Sequence, residues 1–154
     1  MDKTAFIETF TIHNRIHLYL LGSIEEAHLQ AVAASKGRSV GEQFAHIHNV
    51  RLMWLKAAMP EALEGLVKYE KGMNLTKAFL EAELNKSAAA IEKLLEVGFE
   101  TGKIKGFKPH AFAFLGYLIS HESHHRGQIA LILKQAGFPL DKKTQFGLWE
   151  WGVR

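Results

Sequence analysis

Apolar residues recur at helical spacing through four long stretches of the chain. In the first stretch, Phe6 and Phe10 lie on one face together with His13 and His17. No stretch alternates apolar and polar residues as a half-buried strand does, and the sequence contains no internal repeat. The pattern therefore predicts four amphipathic helices, which cover residues 2–21, 40–58, 77–97 and 110–135.

Residues that begin and end helices stand between the four stretches. Ser39, with Glu42 three positions later, forms a capping-box pattern, Thr76 is a second candidate N-cap, and Gly137 follows the last helix. The three prolines all lie between helices, at positions 60, 109 and 139. Short extra helical turns are expected in two of the loops, around residues 24–28 and within residues 61–74.

Four long amphipathic helices in a chain of 154 residues are typical of a helical bundle. A chain of this length can bury a substantial apolar core. The predicted fold class is therefore all-α, a four-helix bundle with short extra helical turns in the loops. We expect one domain that spans residues 1–154.

The composition limits the chemistry of the protein. The chain contains no cysteine, which excludes disulfides, thiolate zinc sites and a cysteine nucleophile. Any metal would have to be bound by histidine, aspartate or glutamate. The net charge is only +3, and the lysines and arginines are scattered along the chain, so nucleic-acid binding is not expected.

The hydropathy of the chain bears on its location. The N-terminal residues lead directly into an amphipathic helix and lack the apolar segment of a signal peptide. The most apolar run, residues 111–119, is too short to cross a bilayer. We therefore expect a cytoplasmic protein without a membrane partner.

Two histidines lie one turn apart near the end of the fourth predicted helix. His121 and His125 share the face that carries Phe114 and Ile129 into the core. Two neutral imidazoles at this spacing form half of a metal site, although a single histidine on a core face is more often a hydrogen-bonded core residue. Glu122 leaves the helix on its flank and is expected to be solvated.

A zinc-like site needs a third protein ligand, and the residues alone leave its source open. His46 and His48 compete in the second helix, and periodicity barely separates them. His13 and His17 form another pair at the same spacing, which could face the first pair in a four-histidine site. His124 is the remaining candidate, although it lies off the centre of the core face.

Two separated motifs carry a resemblance to a known family. The segment GEQFAHI, residues 41–47, is followed much later by HESHHRGQ, residues 121–128. Together they resemble the motifs of the DinB/YfiT-like family of metalloenzymes, and the similarity extends over the whole chain. The resemblance implies a four-helix bundle, often dimeric, in which His46, His121 and His125 bind a divalent metal such as zinc or nickel.

The resemblance also implies a class of function. Characterised relatives include transferases and isomerases that use a low-molecular-weight thiol such as bacillithiol, mycothiol or glutathione. We therefore expect a metal-dependent enzyme that acts on a small molecule, either a thiol-dependent S-transferase or a hydrolase-like enzyme. The alternatives are a non-catalytic metal-binding or stress-induced interaction protein, and a structural bundle whose histidines are only hydrogen-bonded.

Three further side chains are expected to bind the cofactor or ligand. Gln128 lies within the arc of His121 and could hydrogen-bond a ligand or an imidazole. His13 and His17 are expected to line the mouth of the site from the first helix. The sequence does not identify a catalytic acid, base or nucleophile, and we expect a homodimer from the resemblance alone.

Overall fold

Five α-helices are present in the computed structural model, which describes residues 2–154. They are α1 (Lys3–Gly22), α2 (Val40–Ala58), α3 (Lys77–Thr101), α4 (Ala111–Gln135) and α5 (Lys142–Gly147). Short 3-10 turns occupy the loops before and after α2, at Glu26–Gln30 and Pro60–Leu63. Residues 2–154 form no β-strand, and the predicted all-α bundle is confirmed. Within the same residues, no helix is both long and apolar enough to cross a membrane.

Side-chain caps fix where α2 and α3 begin. The backbone N–H of Ser39 donates to Glu42 Oε2 at 2.9 Å, and the N–H of Glu42 donates to Ser39 Oγ at 3.2 Å. This reciprocal pair satisfies two of the free N–H groups at the helix start and confirms the predicted capping box. Thr76 caps α3 by accepting a 3.1 Å hydrogen bond from the N–H of Phe79.

Helix α3 continues past residue 97, where the sequence pattern predicted its end, to Thr101. Gly98 does not stop the helix, because its missing side chain allows Ile104 and Ala111 to pack directly against the helix backbone. The helix ends at Gly102 instead, whose φ of 72° lies in the left-handed region. Close packing, and not the low helix propensity of glycine, explains why Gly98 is found there.

A layer of buried polar side chains divides the core into two apolar clusters. The first cluster includes Leu20, Phe44, Leu84 and Ile132, and the second includes Phe10, Leu55, Leu95 and Phe114. Along α1 and α4 the chain passes from the second cluster to the first, whereas along α2 and α3 it passes from the first to the second. Hence α1 and α4 run in one direction and α2 and α3 in the other. The polar layer between the clusters contains His13, Asn14, His17, Arg51, Ser87, Glu122 and His125.

Candidate metal centre

Three histidines from two helices converge at one side of the polar layer. His46 lies in the second turn of α2, and His121 and His125 lie one turn apart on α4. We call these three residues the histidine triad. One ring nitrogen of each lies within 4.8 Å of the other two, so the three donors surround a common position.

The spacing of the two α4 nitrogens suits a bound ion. Nε2 of His121 lies 3.2 Å from Nε2 of His125. Two imidazole nitrogens bound to one tetrahedral zinc ion would be about 3.3 Å apart. Imidazole nitrogens are good ligands for zinc, nickel, copper and iron, so the residues present fit a divalent transition metal.

Gln43, one turn before His46 on α2, fixes the orientation of His125. Its Oε1 accepts a 2.7 Å hydrogen bond from Nδ1–H of His125, so Nε2 of that ring carries the free lone pair. Metal-binding histidines usually have their second nitrogen hydrogen-bonded in this way. By contrast, Nδ1 of His121 is buried without a hydrogen-bond partner among the described residues.

All three rings of the triad favour their neutral form. Burial, with a smaller contribution from the charge of Arg38, lowers the pKa of His46 to about 4. Burial, followed by the neighbouring histidines, lowers the pKa of His125 to about 4, and burial also lowers the pKa of His121. Because a metal ion binds only the neutral imidazole, the triad can bind metal at neutral pH without first losing protons.

The triad is only partly buried. His46 and His121 are half-buried, whereas His125 is buried. The ring of Tyr117 stacks on that of His121 with 5.8 Å between centroids, and Trp54 meets Tyr117 edge to face at 5.6 Å. The donors of the triad are therefore partly exposed and lie beside aromatic side chains.

A second group of buried polar side chains lies on the adjacent flank of α4. Nε2 of His13 and Nε2 of His17 lie 2.9 and 2.8 Å from Oε2 of Glu122, and 3.2 Å from each other. The ligand atoms of these three residues are also close enough to hold a metal. Together with Arg51 and Arg126, described next, we call this group the Glu122 network.

Two arginines complete the Glu122 network. Nε and Nη2 of Arg51 donate to Oε1 and Oε2 of Glu122, both at 2.7 Å. Nη1 of Arg126 donates to Nδ1 of His13 at 3.1 Å, and burial lowers the pKa of Arg126 to about 10, so it remains charged at neutral pH. Although burial alone would raise the pKa of Glu122, the charge and hydrogen bonds of Arg51 hold it well below its usual range. The network therefore contains one carboxylate and two guanidinium groups.

These contacts correct three expectations from the sequence. Glu122 is not a solvated flank residue, because only 1% of its surface is exposed and Arg51 reaches it from α2. His13 and His17 do not line the mouth of the triad, because both are fully buried and bind Glu122. They also do not complete a four-histidine site with His121 and His125, since their nearest partner is the carboxylate.

A model of the DinB family matches residues 1–142 of the 154-residue chain. The chain belongs to the DinB family. No curated protein and no solved structure matches it. The matched residues include all four long helices, the histidine triad and the Glu122 network, so the resemblance carried by the two sequence motifs is confirmed.

The structure brings together the three histidines that the family resemblance implies as ligands, and it separates them from their neighbours. His48 is turned away from the triad, since its Nε2–H donates to the carbonyl of Val67 at 2.8 Å. His124 is exposed on α4. Gln128 is half-buried, and its contact with a cofactor stays a prediction, as does metal binding by the triad.

Three residues that shape the site were not predicted from the sequence, namely Gln43, Arg51 and Arg126. A signal for Arg51 was present, because it follows Ile47 by one helical turn and therefore lies on the core face of α2. A charged residue on a core face requires a buried partner of opposite charge. That requirement points to a carboxylate inside the bundle, and Glu122 supplies it.

Proposed function

We propose that this DinB-family protein is a divalent-metal-dependent enzyme that acts on a small molecule, with the metal held by His46, His121 and His125. The observation that carries the proposal is the convergence of three neutral imidazoles, two of whose Nε2 atoms lie 3.2 Å apart, at a site that is only partly buried. Zinc and nickel fit this donor set best among the metals that the family implies.

The ligand set suits a catalytic centre better than a structural one. Three protein ligands leave coordination positions free, whereas structural zinc sites use four. A divalent ion bound there would act as a Lewis acid that lowers the pKa of a bound water or thiol. Since the chain has no cysteine, a thiolate would have to come from a small molecule, in keeping with a thiol-dependent S-transferase. A hydrolase-like reaction is the variant in which water takes that position.

Residues around the triad support an anionic substrate or cofactor. The three ligands are neutral, so they do not compensate the charge of a divalent ion. The exposed guanidinium of Arg38 lies close enough to lower the pKa of His46, and it adds positive charge at the opening. Gln128 follows His125 by three residues on α4, and as part of the proposal we assign it a contact with such a ligand.

The accessibility of the triad favours an enzyme over a non-catalytic metal-binding or interaction protein. A metal with no further role is usually enclosed by four protein ligands, whereas His46 and His121 are only half-buried here. The proposed homodimer is consistent with the exposed apolar side chains near the C-terminus, where Phe146 is 70% and Trp149 80% exposed. Sedimentation of the purified protein would test that assembly.

Metal analysis followed by cobalt substitution tests the proposal. We expect about one divalent ion per chain in the purified protein. After replacement by Co(II), addition of a low-molecular-weight thiol should produce a sulfur-to-metal charge-transfer band that is absent in His121→Ala. A cobalt spectrum that does not respond to bacillithiol, mycothiol or glutathione would reject the S-transferase function and leave hydrolase-like chemistry.

Chelation tests whether the metal is catalytic or structural. A bundle with two apolar clusters should fold without metal, so a chelator is expected to leave the helical circular dichroism unchanged. It should still lower Tm, because an ion at 100 times its Kd stabilises the folded state by about 2.7 kcal/mol. Loss of the helical signal on chelation at room temperature would mean that the site is structural.

A further inference from the structure

The two helices that carry the triad are connected by a series of paired side chains. Gln43 of α2 contacts His125 of α4, and farther along α2 Trp54 contacts Tyr117. Residue numbers rise along α2 as they fall along α4, so the helices are antiparallel. The distance from His46 to the two α4 histidines therefore depends on how far α4 is shifted along α2 and on its rotation about its own axis.

The hydrogen-bonded ion pair of Arg51 and Glu122 can form at only one position and rotation of α4 relative to α2. Both side chains are fully buried, and two parallel hydrogen bonds of 2.7 Å join them. A shift of α4 by one residue moves a side chain by about 1.5 Å along the axis and turns it by about 100°. Either displacement breaks both hydrogen bonds and leaves two opposite charges unpaired in the core, which is strongly unfavourable.

The same pair is held in place from the other two helices. Nη1 of Arg51 donates to Asn14 Oδ1 of α1 at 2.9 Å and to the carbonyl of Leu84 in α3 at 3.1 Å. His13 and His17 of α1 donate to Oε2 of Glu122. Oε2 thus accepts three hydrogen bonds and Oε1 one, so both oxygens of the buried carboxylate are hydrogen-bonded. All four long helices therefore meet at the Arg51–Glu122 pair, and Glu122 is next to His121 in the sequence.

From this geometry we infer that Arg51 and Glu122, with His13 and His17, are positioning residues for the metal centre, setting the register of α4 against α2 and hence the spacing of the triad. The inference rests on the proposed function, because it gives the Glu122 network a role toward the bound metal. Stability alone does not explain the network, since a buried ion pair can often be replaced by apolar residues without loss of stability. Metal sites, in contrast, need their ligands held to within about 0.5 Å.

Replacing both Arg51 and Glu122 distinguishes an effect on the register of the helices from an effect on the stability of the fold. Replacing both partners, in Arg51→Met/Glu122→Leu, removes the two fully buried charges together and should leave the chain folded. We expect zinc affinity, measured by competition with a chromogenic chelator, to fall roughly 10–100-fold, the usual effect of losing outer contacts of a metal site. In the metal-free variant, the ring-nitrogen NMR shifts of His125 should show loss of the single tautomer that Gln43 selects.

A matched control removes a buried polar contact that does not involve α4. His48 of α2 hydrogen-bonds the carbonyl of Val67 and lies 3.8 Å from Glu83 of α3. His48→Leu should therefore destabilise the fold but leave zinc affinity and the His125 tautomer unchanged. The conservative variant Glu122→Asp keeps the charge but shortens the side chain by one methylene, so it should fold and still weaken zinc binding.

The outcomes distinguish the two proposals. A folded Arg51→Met/Glu122→Leu variant with the zinc affinity and His125 tautomer of the original chain would overturn the inference. If that variant does not fold, an unchanged zinc affinity and tautomer in Glu122→Asp would overturn it. If the original chain binds no metal, the proposed function fails, while the His125 tautomer in metal-free protein still decides whether Glu122 sets the register.

Discussion

The histidine triad and the Glu122 network are built from similar parts and differ in charge. Each contains two histidines at i and i+4 on one helix whose Nε2 atoms lie 3.2 Å apart. Each adds a third donor from another helix, His46 in the triad and Glu122 in the network. Distance criteria alone would accept both groups as metal sites.

The neighbouring charges separate the two groups. Glu122 already accepts hydrogen bonds from Arg51, His13 and His17, so an incoming ion would have to displace them. Two guanidinium groups also lie within the network, and their positive charge opposes the binding of a cation. The triad contains no charged side chain. The same histidine spacing thus gives a metal site in neutral surroundings and an ion-pair network beside arginine.

The largest expected effect is a loss of folding stability when Arg51 alone is removed from the Glu122 network. Arg51→Met leaves the Glu122 carboxylate buried without the guanidinium that binds it, so it should lower the free energy of unfolding by about 3–5 kcal/mol. Urea unfolding in the presence of a chelator measures this change. His46→Ala, in the half-buried triad, serves as the comparison and should cost less than about 1 kcal/mol under the same conditions. Equal costs for the two variants would remove the distinction between the groups.

The next largest effect is the loss of bound metal when a histidine of the triad is replaced. His46→Ala, His121→Ala and His125→Ala each remove a proposed ligand and should weaken metal binding by more than the roughly 100-fold seen for outer contacts. His48→Ala and His124→Ala should keep their metal, because the structure places neither side chain in the triad. Elemental analysis of the five purified variants gives the answer. Metal retained in His46→Ala but lost in His48→Ala would contradict the proposed ligand assignment.

A smaller effect on metal affinity is expected from substitution of Gln43, which hydrogen-bonds Nδ1 of His125. Gln43→Leu removes the acceptor of the 2.7 Å hydrogen bond, so metal affinity should fall about 10–100-fold while the fold is kept. Gln43→Glu supplies a carboxylate acceptor at the same place and should preserve or increase the affinity. Isothermal titration with zinc compares the three proteins. If Gln43→Leu and Gln43→Glu bound zinc equally well, the role of this hydrogen bond would be disproved.

The last effect is a pH dependence that reports the protonation state of the network. Burial lowers the pKa of both His13 and His17 in the folded protein, whereas an unfolded histidine titrates near 6.5. The unfolded chain therefore binds more protons below pH 6.5. The stability that these neutral rings contribute is fully present above that pH and is lost as the pH falls, by at most about 1.4 kcal/mol per pH unit for each ring.

Urea unfolding of metal-free protein between pH 7.5 and 5 measures this slope. The double variant His13→Gln/His17→Gln should show a shallower decrease than the original chain. A stability that rises on acidification would instead show that the rings are imidazolium ions paired with Glu122.

The sequence predicts the helices well, because their signals are local. The capping box at Ser39 and Glu42 lies within four consecutive residues, and each apolar face repeats within a single helix. The predicted end of α3 was wrong, because Gly98 marks a close contact with Ile104 and not the end of the helix. Ile104 lies beyond the helix. A local pattern contains no information about such a contact.

The site is only partly predictable for the same reason. Periodicity places His121 and His125 on the core face of α4 but cannot separate His46 from His48, which required the family resemblance. Glu122 was assigned to solvent because a helical wheel describes one helix in isolation. In a bundle each helix has two close neighbours, so the buried arc is wide enough to include a flank residue.

The polar layer also has a consequence for how mutations combine. It keeps the cluster around Phe44 and Ile132 apart from the cluster around Phe10 and Phe114. Substitutions at distant sites without shared partners have additive effects on stability, whereas those in contact are coupled. A change in one cluster should therefore add to a change in the other, while two changes within one cluster interact. Evolution can then adjust thermal stability at either end of the bundle without disturbing the residues between them.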